Sequence, residues 1–164
     1  MTPEEVLAWA SGAPGAPDLH QTDVARAADH EDVALAFRPA ESDTARRVLV
    51  GVIGFGHNPL VTRELLTLLA SDSADLRAAA ADSLGKIVGY PPRHPELREV
   101  LQQRLRERIV IEEFGWVLST MLQSLGLVGV AEDEELLSKY LDSEDRQVRG
   151  QSRWAIERLR SKPW

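Results

Sequence analysis

The chain has no cysteine among its 164 residues, which excludes both a disulfide framework and a thiolate metal site. Aromatic residues are scarce, at 5%, whereas alanine and leucine are plentiful. That balance disfavours sheets, which draw on aromatic and β-branched side chains, and suits helices. Positive charge is also in deficit: 19 Lys and Arg stand against 26 Asp and Glu, a formal net charge of −7. A nucleic-acid binder ordinarily carries a basic footprint to neutralise phosphates, so the overall charge argues against that class. No apolar run approaches the roughly 18 residues of a membrane span. The first residues, Met1-Thr2-Pro3-Glu4-Glu5, are acidic where a secretory leader is basic, so the expected compartment is the cytoplasm. No HExxH, G-x-S-x-G, P-loop or dinucleotide fingerprint occurs.

What is present is a succession of helical patterns. Thr2, Pro3 and Glu5 form a capping-box start for a short helix with Val6, Leu7 and Trp9 on its apolar side. Ser11 to Pro17 is a Gly/Pro/Ala linker, which makes residues 1–17 an N-terminal appendage to a single domain over 18–164. Two short helices are expected between Asp18 and Phe37, the first capped by Thr22, with Pro39 stopping the second. Further helices are expected over 43–55, 60–70, 75–88, 95–108, 112–128, 132–141 and 145–159. Gly56-His57-Asn58-Pro59 and Gly89-Tyr90-Pro91-Pro92 break the chain between them. The stripe of the 112–128 helix reads Phe114, Val117, Leu118, Met121, Leu122 and Leu125, and leaves Trp116 outside it.

These helices repeat. Leu76-Arg77 followed by Ala78 to Ile87 lies over Val148-Arg149 followed by Gly150 to Leu159. Ala45-Arg46 opens a third copy, and Ser124-Leu125-Gly126 echoes Ser83-Leu84-Gly85, which puts Leu118 in the arginine position of a fourth. The anchors 46, 77, 118 and 149 are spaced by 31, 41 and 31 residues, the size of a helical hairpin. An acid stands five residues before each arginine (Glu41, Asp72, Glu144), and the recurring Arg and acid are expected to form polar ties along the stack. Small residues such as Ala80, Ala81 and Ser152 are expected to let neighbouring second helices approach closely.

The run Leu76-Arg77, Ala80-Ala81 and Ser83-Leu84-Gly85 resembles HEAT repeats of the short type found in phycobilin lyases. The resemblance extends over about residues 31–160. It implies an all-α fold, a right-handed α-solenoid of about four HEAT-like helical hairpins preceded by the short N-terminal helix. Such a stack becomes stable with about three units, because each hairpin buries its apolar face only against a neighbour.

Candidates for chemistry are few. His20, His30, His57 and His94 lack ligand spacing, and Asp29-His30-Glu31-Asp32 points its side chains in different directions on a helix. No metal, cofactor or catalytic residue is therefore expected. Gly51 and Gly54 lack the strand and lysine of a phosphate loop and suit close helix packing instead. Two features suggest a surface. Glu112-Glu113-x-x-Trp116 begins the third second helix, and Trp154 stands where the earlier copy has Asp82, with Arg149, Arg153 and Lys162 nearby. Tryptophan beside arginine is typical of interface anchors. Trp154 and Trp164 equally suit an end cap. Trp116, Arg149, Arg153 and Trp154 are the candidate binding residues of a monomeric, non-catalytic module that engages a protein on its second-helix, concave surface. An adaptor, a regulator or a toxin-neutralising protein would each fit. The alternatives are a nucleic-acid binder of the DNA-glycosylase kind, favoured by seven Lys and Arg against four acids from Lys139 onward, and a bilin-lyase-like enzyme, favoured only by the resemblance.

Overall fold

The computed structural model describes residues 1–56, 60–89 and 95–161. Among the described residues the regular structure consists of ten α-helices and one 3-10 turn, with no strand. Helix α1 (Pro3–Ala10) starts with the expected capping box: the Glu5 amide donates to Thr2 Oγ1 and the Thr2 amide to the Glu5 carboxylate. Its buried Val6 and Ala10 pack it onto the rest of the molecule, and Trp9 Nε1 donates to the Leu19 carbonyl at 2.9 Å, folding the linker back. Gly12 and Gly15 turn that linker with positive φ, a conformation side chains resist. Helix α2 (Gln21–Ala27) is capped by His20, whose Nδ1 accepts from the Thr22 amide, and not by Thr22 itself. Asp29 caps α3 (His30–Phe37) by accepting from the amides of Glu31 and Asp32.

The remaining helices alternate between two layers. The second helices α4 (Asp43–Gly56), α6 (Ala74–Gly89), α8 (Gly115–Val128) and α10 (Arg146–Arg160) pack each on the next, and these are the most extensive contacts in the molecule. The first helices α5 (Thr62–Leu68), α7 (Pro95–Ile109) and α9 (Glu134–Ser138) pack on the second helices that follow them. Three expected helices are shorter than their patterns. The one read over 60–70 spans only Thr62–Leu68, the one read from Glu112 starts at Gly115, and the one read over 132–141 divides into a 3-10 turn at Ala131–Asp133 and α9. The breaks expected around His57 to Pro59 and Tyr90 to Pro92 lie outside the described residues, as do His94, Lys162 and Trp164.

The repeat register reappears as contacts. A Cβ placed on Gly54 would lie 2.9 Å from the Ser83 Cα, one on Gly85 3.2 Å from the Ser124 Cα, and one on Gly126 2.8 Å from the Ala155 Cα. Each glycine lets the next second helix lie against bare backbone. Across the first two contacts the buried hydroxyls of Ser83 and Ser124 donate to the carbonyls of Val50 and Ala81, both at 2.7 Å. Glycines 54, 85 and 126 and residues 83, 124 and 155 keep the anchor spacings. The Ser152 hydroxyl donates to Leu137 O at 2.6 Å, a carbonyl of α9.

Each arginine anchor bonds to the turn of its own hairpin, and Arg77 also reaches Glu112 ahead of α8. Arg46 Nε donates to Ala40 O at 2.8 Å; Arg77 Nη1 to Ser71 O and Asp72 O at 2.9 and 3.1 Å; Arg149 Nη1 to Ser143 O and Glu144 O at 2.5 and 2.9 Å. Each guanidinium thus ties down the turn before its helix. The acids five residues upstream accept hydrogen bonds through main-chain carbonyls at Asp72 and Glu144, and the Asp72 carboxylate adds its charge. The turn carbonyls leave a helical path there and need donors, which explains the constant offset.

Candidate interaction surface

Three second helices open in the same way. Ser42 Oγ accepts from the Ala45 amide at 3.1 Å, Ser73 Oγ from the Leu76 amide at 3.4 Å, and Asp145 Oδ1 from the amides of Gln147 and Val148 at 2.7 and 3.2 Å. Positions 42, 73 and 145 are one slot of the repeat, and its fourth member is Phe114. Phe114 makes no side-chain cap and is 52% exposed. It does not belong to the apolar stripe in which its spacing placed it. A missing cap costs a helix about 1 kcal/mol. Two positions on, Thr44, Asp75 and Gln147 occupy the slot that α8 fills with Trp116, 41% exposed. Val110 and Ile111, in the turn just before, are 61% exposed each. The third hairpin therefore departs from the rule at adjoining positions, each time towards an exposed apolar side chain.

That turn is held rigidly. The Glu112 carboxylate accepts from Arg77 Nε and Nη2 at 2.8 and 2.9 Å and from the Phe114 amide at 3.2 Å. The paired side chains are 8% and 1% exposed, and Arg108 approaches the same carboxylate at 3.9 Å. Burial pushes the Glu112 carboxyl up, but the hydrogen bonds from Arg77 and Phe114 and the charges of Arg77 and Arg108 outweigh it and hold the group below the usual carboxylate range. The Arg77 guanidinium also lies 5.8 Å from the centroid of the Phe114 ring, a cation–π distance. The anchor arginine of one hairpin thus fixes the aromatic turn of the next, whose own anchor slot holds Leu118.

The four sequence-chosen residues have separate settings. Trp116 is exposed at the start of α8. Arg149 is committed to the Ser143 and Glu144 carbonyls. Arg153 lies with Arg146, Arg149 and Gly150 along one shallow depression on α10. Arg146, Gly150 and Arg153 occupy the slots of Gly115, Ser119 and Leu122, the α8 face that packs on α10, so they mark the open side of the last second helix. Trp154 is half-buried, and its Cζ3 would lie 3.0 Å from a Cβ on Gly126. Its slot holds Gln123 on α8, two helical turns from Trp116. The two indoles are therefore offset by roughly 10 Å along the helices and form no single cluster. In the same slot of α6, Asp82 is partly exposed and binds Lys86 Nζ at 2.5 Å; that ammonium in turn lies 4.8 Å from the Phe55 ring centroid. Phe114, Val110 and Ile111 escaped the sequence reading. The signal for Phe114 was there, since Ser42, Ser73 and Asp145 share its slot.

Among the described residues no three His, Asp or Glu side chains gather as metal ligands, and no helix is long and apolar enough to cross a membrane. In comparisons with known proteins, the chain matches no family model and no curated protein sequence.

Proposed function

We propose that the chain is a protein-interaction module: a right-handed α-solenoid of about four HEAT-like hairpins that works without catalysis. In this reading it holds a partner protein at the start of α8. The observation that carries the proposal is the exposed Phe114 in a capping slot, with Trp116, Val110 and Ile111 beside it. Helix stability alone favours serine or aspartate at that slot, as the other three hairpins have. Contiguous exposed apolar side chains around an aromatic are the usual make-up of an interface core. The buried Arg77–Glu112 pair pre-organises the turn, so little order is lost on binding. The test is affinity capture from a source lysate with wild-type protein and with the Phe114→Ser/Trp116→Ala variant, read by mass spectrometry. Loss of specific captured proteins, with a melting temperature no lower than that of the wild type, is the expected result. Identical captures by both proteins would overturn the proposal.

A second reading draws on Arg146, Arg149 and Arg153 sharing one surface of α10. There the ligand would be nucleic acid, and binding would fall steeply with added salt.

A further inference from the structure

The first-helix layer holds a gap that neither the stack nor the Trp116 surface uses. Helix α5 packs on α6, and α7 packs on α6 and α8, while α5 and α7 touch each other little. Between them runs a groove of about 430 Å³, within the size range of ligand-binding clefts. Its apolar lining includes Leu66 and Val100, the latter 43% exposed. Its charged lining is Arg63 from α5 and Arg104, Glu107 and Arg108 from α7.

The charge is the informative part. The chain as a whole carries −7, yet here three arginines meet one acid. Glu107 pairs with Arg104 at 3.5 Å on an exposed surface, which leaves the lining with two positive charges in excess. Arg104 and Arg108 stand four residues apart on one helix, an arrangement that like charges disfavour. Among the described residues Arg63 has neither a hydrogen bond nor an ion pair. Arg108 Nε is shielded from solvent without an acceptor, and its Nη2 reaches only Glu112, which Arg77 already occupies.

We propose that this groove binds an acidic peptide segment of another protein, one that carries an aliphatic or aromatic side chain among its carboxylates. The carboxylates pair with Arg63 and Arg104, whose planar guanidinium groups suit bidentate contacts. The apolar side chain lies against Leu66 and Val100. A nucleic acid would use the same arginines but leave the apolar lining idle. The site is independent of the Trp116 surface, and each stands or falls by its own variants.

The test is fluorescence polarisation with a labelled random copolymer of glutamate and tyrosine, with poly-glutamate and a duplex DNA as comparators. We expect saturable binding of the copolymer, at least about tenfold tighter than poly-glutamate. We also expect a loss of about tenfold or more for Arg63→Ala/Arg104→Ala and for Val100→Asp, the loss typical of anchor residues. All of these side chains are exposed, so melting temperatures should match the wild type. The proposal is overturned if the copolymer does not bind, if poly-glutamate or DNA binds as tightly, or if the groove variants bind unchanged.

Discussion

Replacing Glu112 with glutamine keeps the size of the side chain and removes one charge from a nearly dry setting. Arg77 is then left with its side chain 8% exposed and without a carboxylate, although the Ser71 and Asp72 carbonyls still accept from Nη1. Breaking a buried ion pair from one side costs about 3–5 kcal/mol. The two surviving carbonyl bonds put the expected cost at the lower end, about 3 kcal/mol. For a domain of this size that lowers the melting temperature by roughly 6–12 °C. The loss should be read by urea denaturation and by thermal melts followed by circular dichroism. It should also depend on pH with a definite sign. Because the folded-state carboxyl lies below its ordinary value, its stabilisation is complete above the unfolded-state pKa of about 4.3 and is lost as pH falls through the lower folded value. The gap between wild type and Glu112→Gln should therefore hold near neutrality and close in acid. A double-mutant cycle with Arg77→Met isolates the pair from its surroundings. A loss under about 1 kcal/mol, the range of exposed pairs, or a gap that does not change with pH, would refute the account.

The same substitution should act in opposite directions at two glycines. Gly126→Ala forces a Cβ to 2.8 Å from the Ala155 Cα and should cost about 1–3 kcal/mol, whereas Gly150→Ala meets nothing within 4 Å and should stabilise by up to about 1 kcal/mol. Leu84→Asp places an unpaired charge at a fully buried position and should abolish the folded circular-dichroism signal, while Asp82→Ala, which loses only the Lys86 contact, should melt within a few degrees of wild type. Trp154→Ala should lower stability by about 2 kcal/mol or more, because the ring packs over Gly126; a partner affinity that then stays unchanged assigns the residue to packing, and a selective affinity loss assigns it to binding.

The parts of the fold that were readable from sequence are those in which one residue type has one physical job. The anchor arginines 46, 77 and 149 predicted the register because each must satisfy carbonyls of the turn before its helix. Gly54 is legible as a close-packing residue, and the Ser83 backbone lies against it. Failures occurred where a residue had two possible roles. Thr22 and His20 are both plausible caps, and only the path of the chain decides between them. Phe114 matched the helical spacing of its apolar neighbours, but α8 begins one residue later and leaves the ring outside. Glu112 stands in the sequence only as the start of the Glu112-Glu113-x-x-Trp116 run, because sequence alone does not show that Arg77, 35 residues earlier, reaches it. For the candidate surface, Trp116 was legible by its absence from the stripe, while Val110 and Ile111 follow α7 in a turn whose burial no pattern records.

The glycine contacts have a consequence for how such a chain can change length. In the slot of Gly54, Gly85 and Gly126, the last second helix carries Glu157, and Arg153 stands where α8 has Leu122. A duplicated hairpin inserted between α6 and α8 would find bare backbone waiting on one side and offer the same on the other, so the molecule can be extended from within. An extra hairpin docked against α10 would meet a charged side chain at the point of closest approach. Internal duplication is thus a one-step route to a longer protein, whereas growth beyond α10 requires Glu157 and Arg153 to be replaced first.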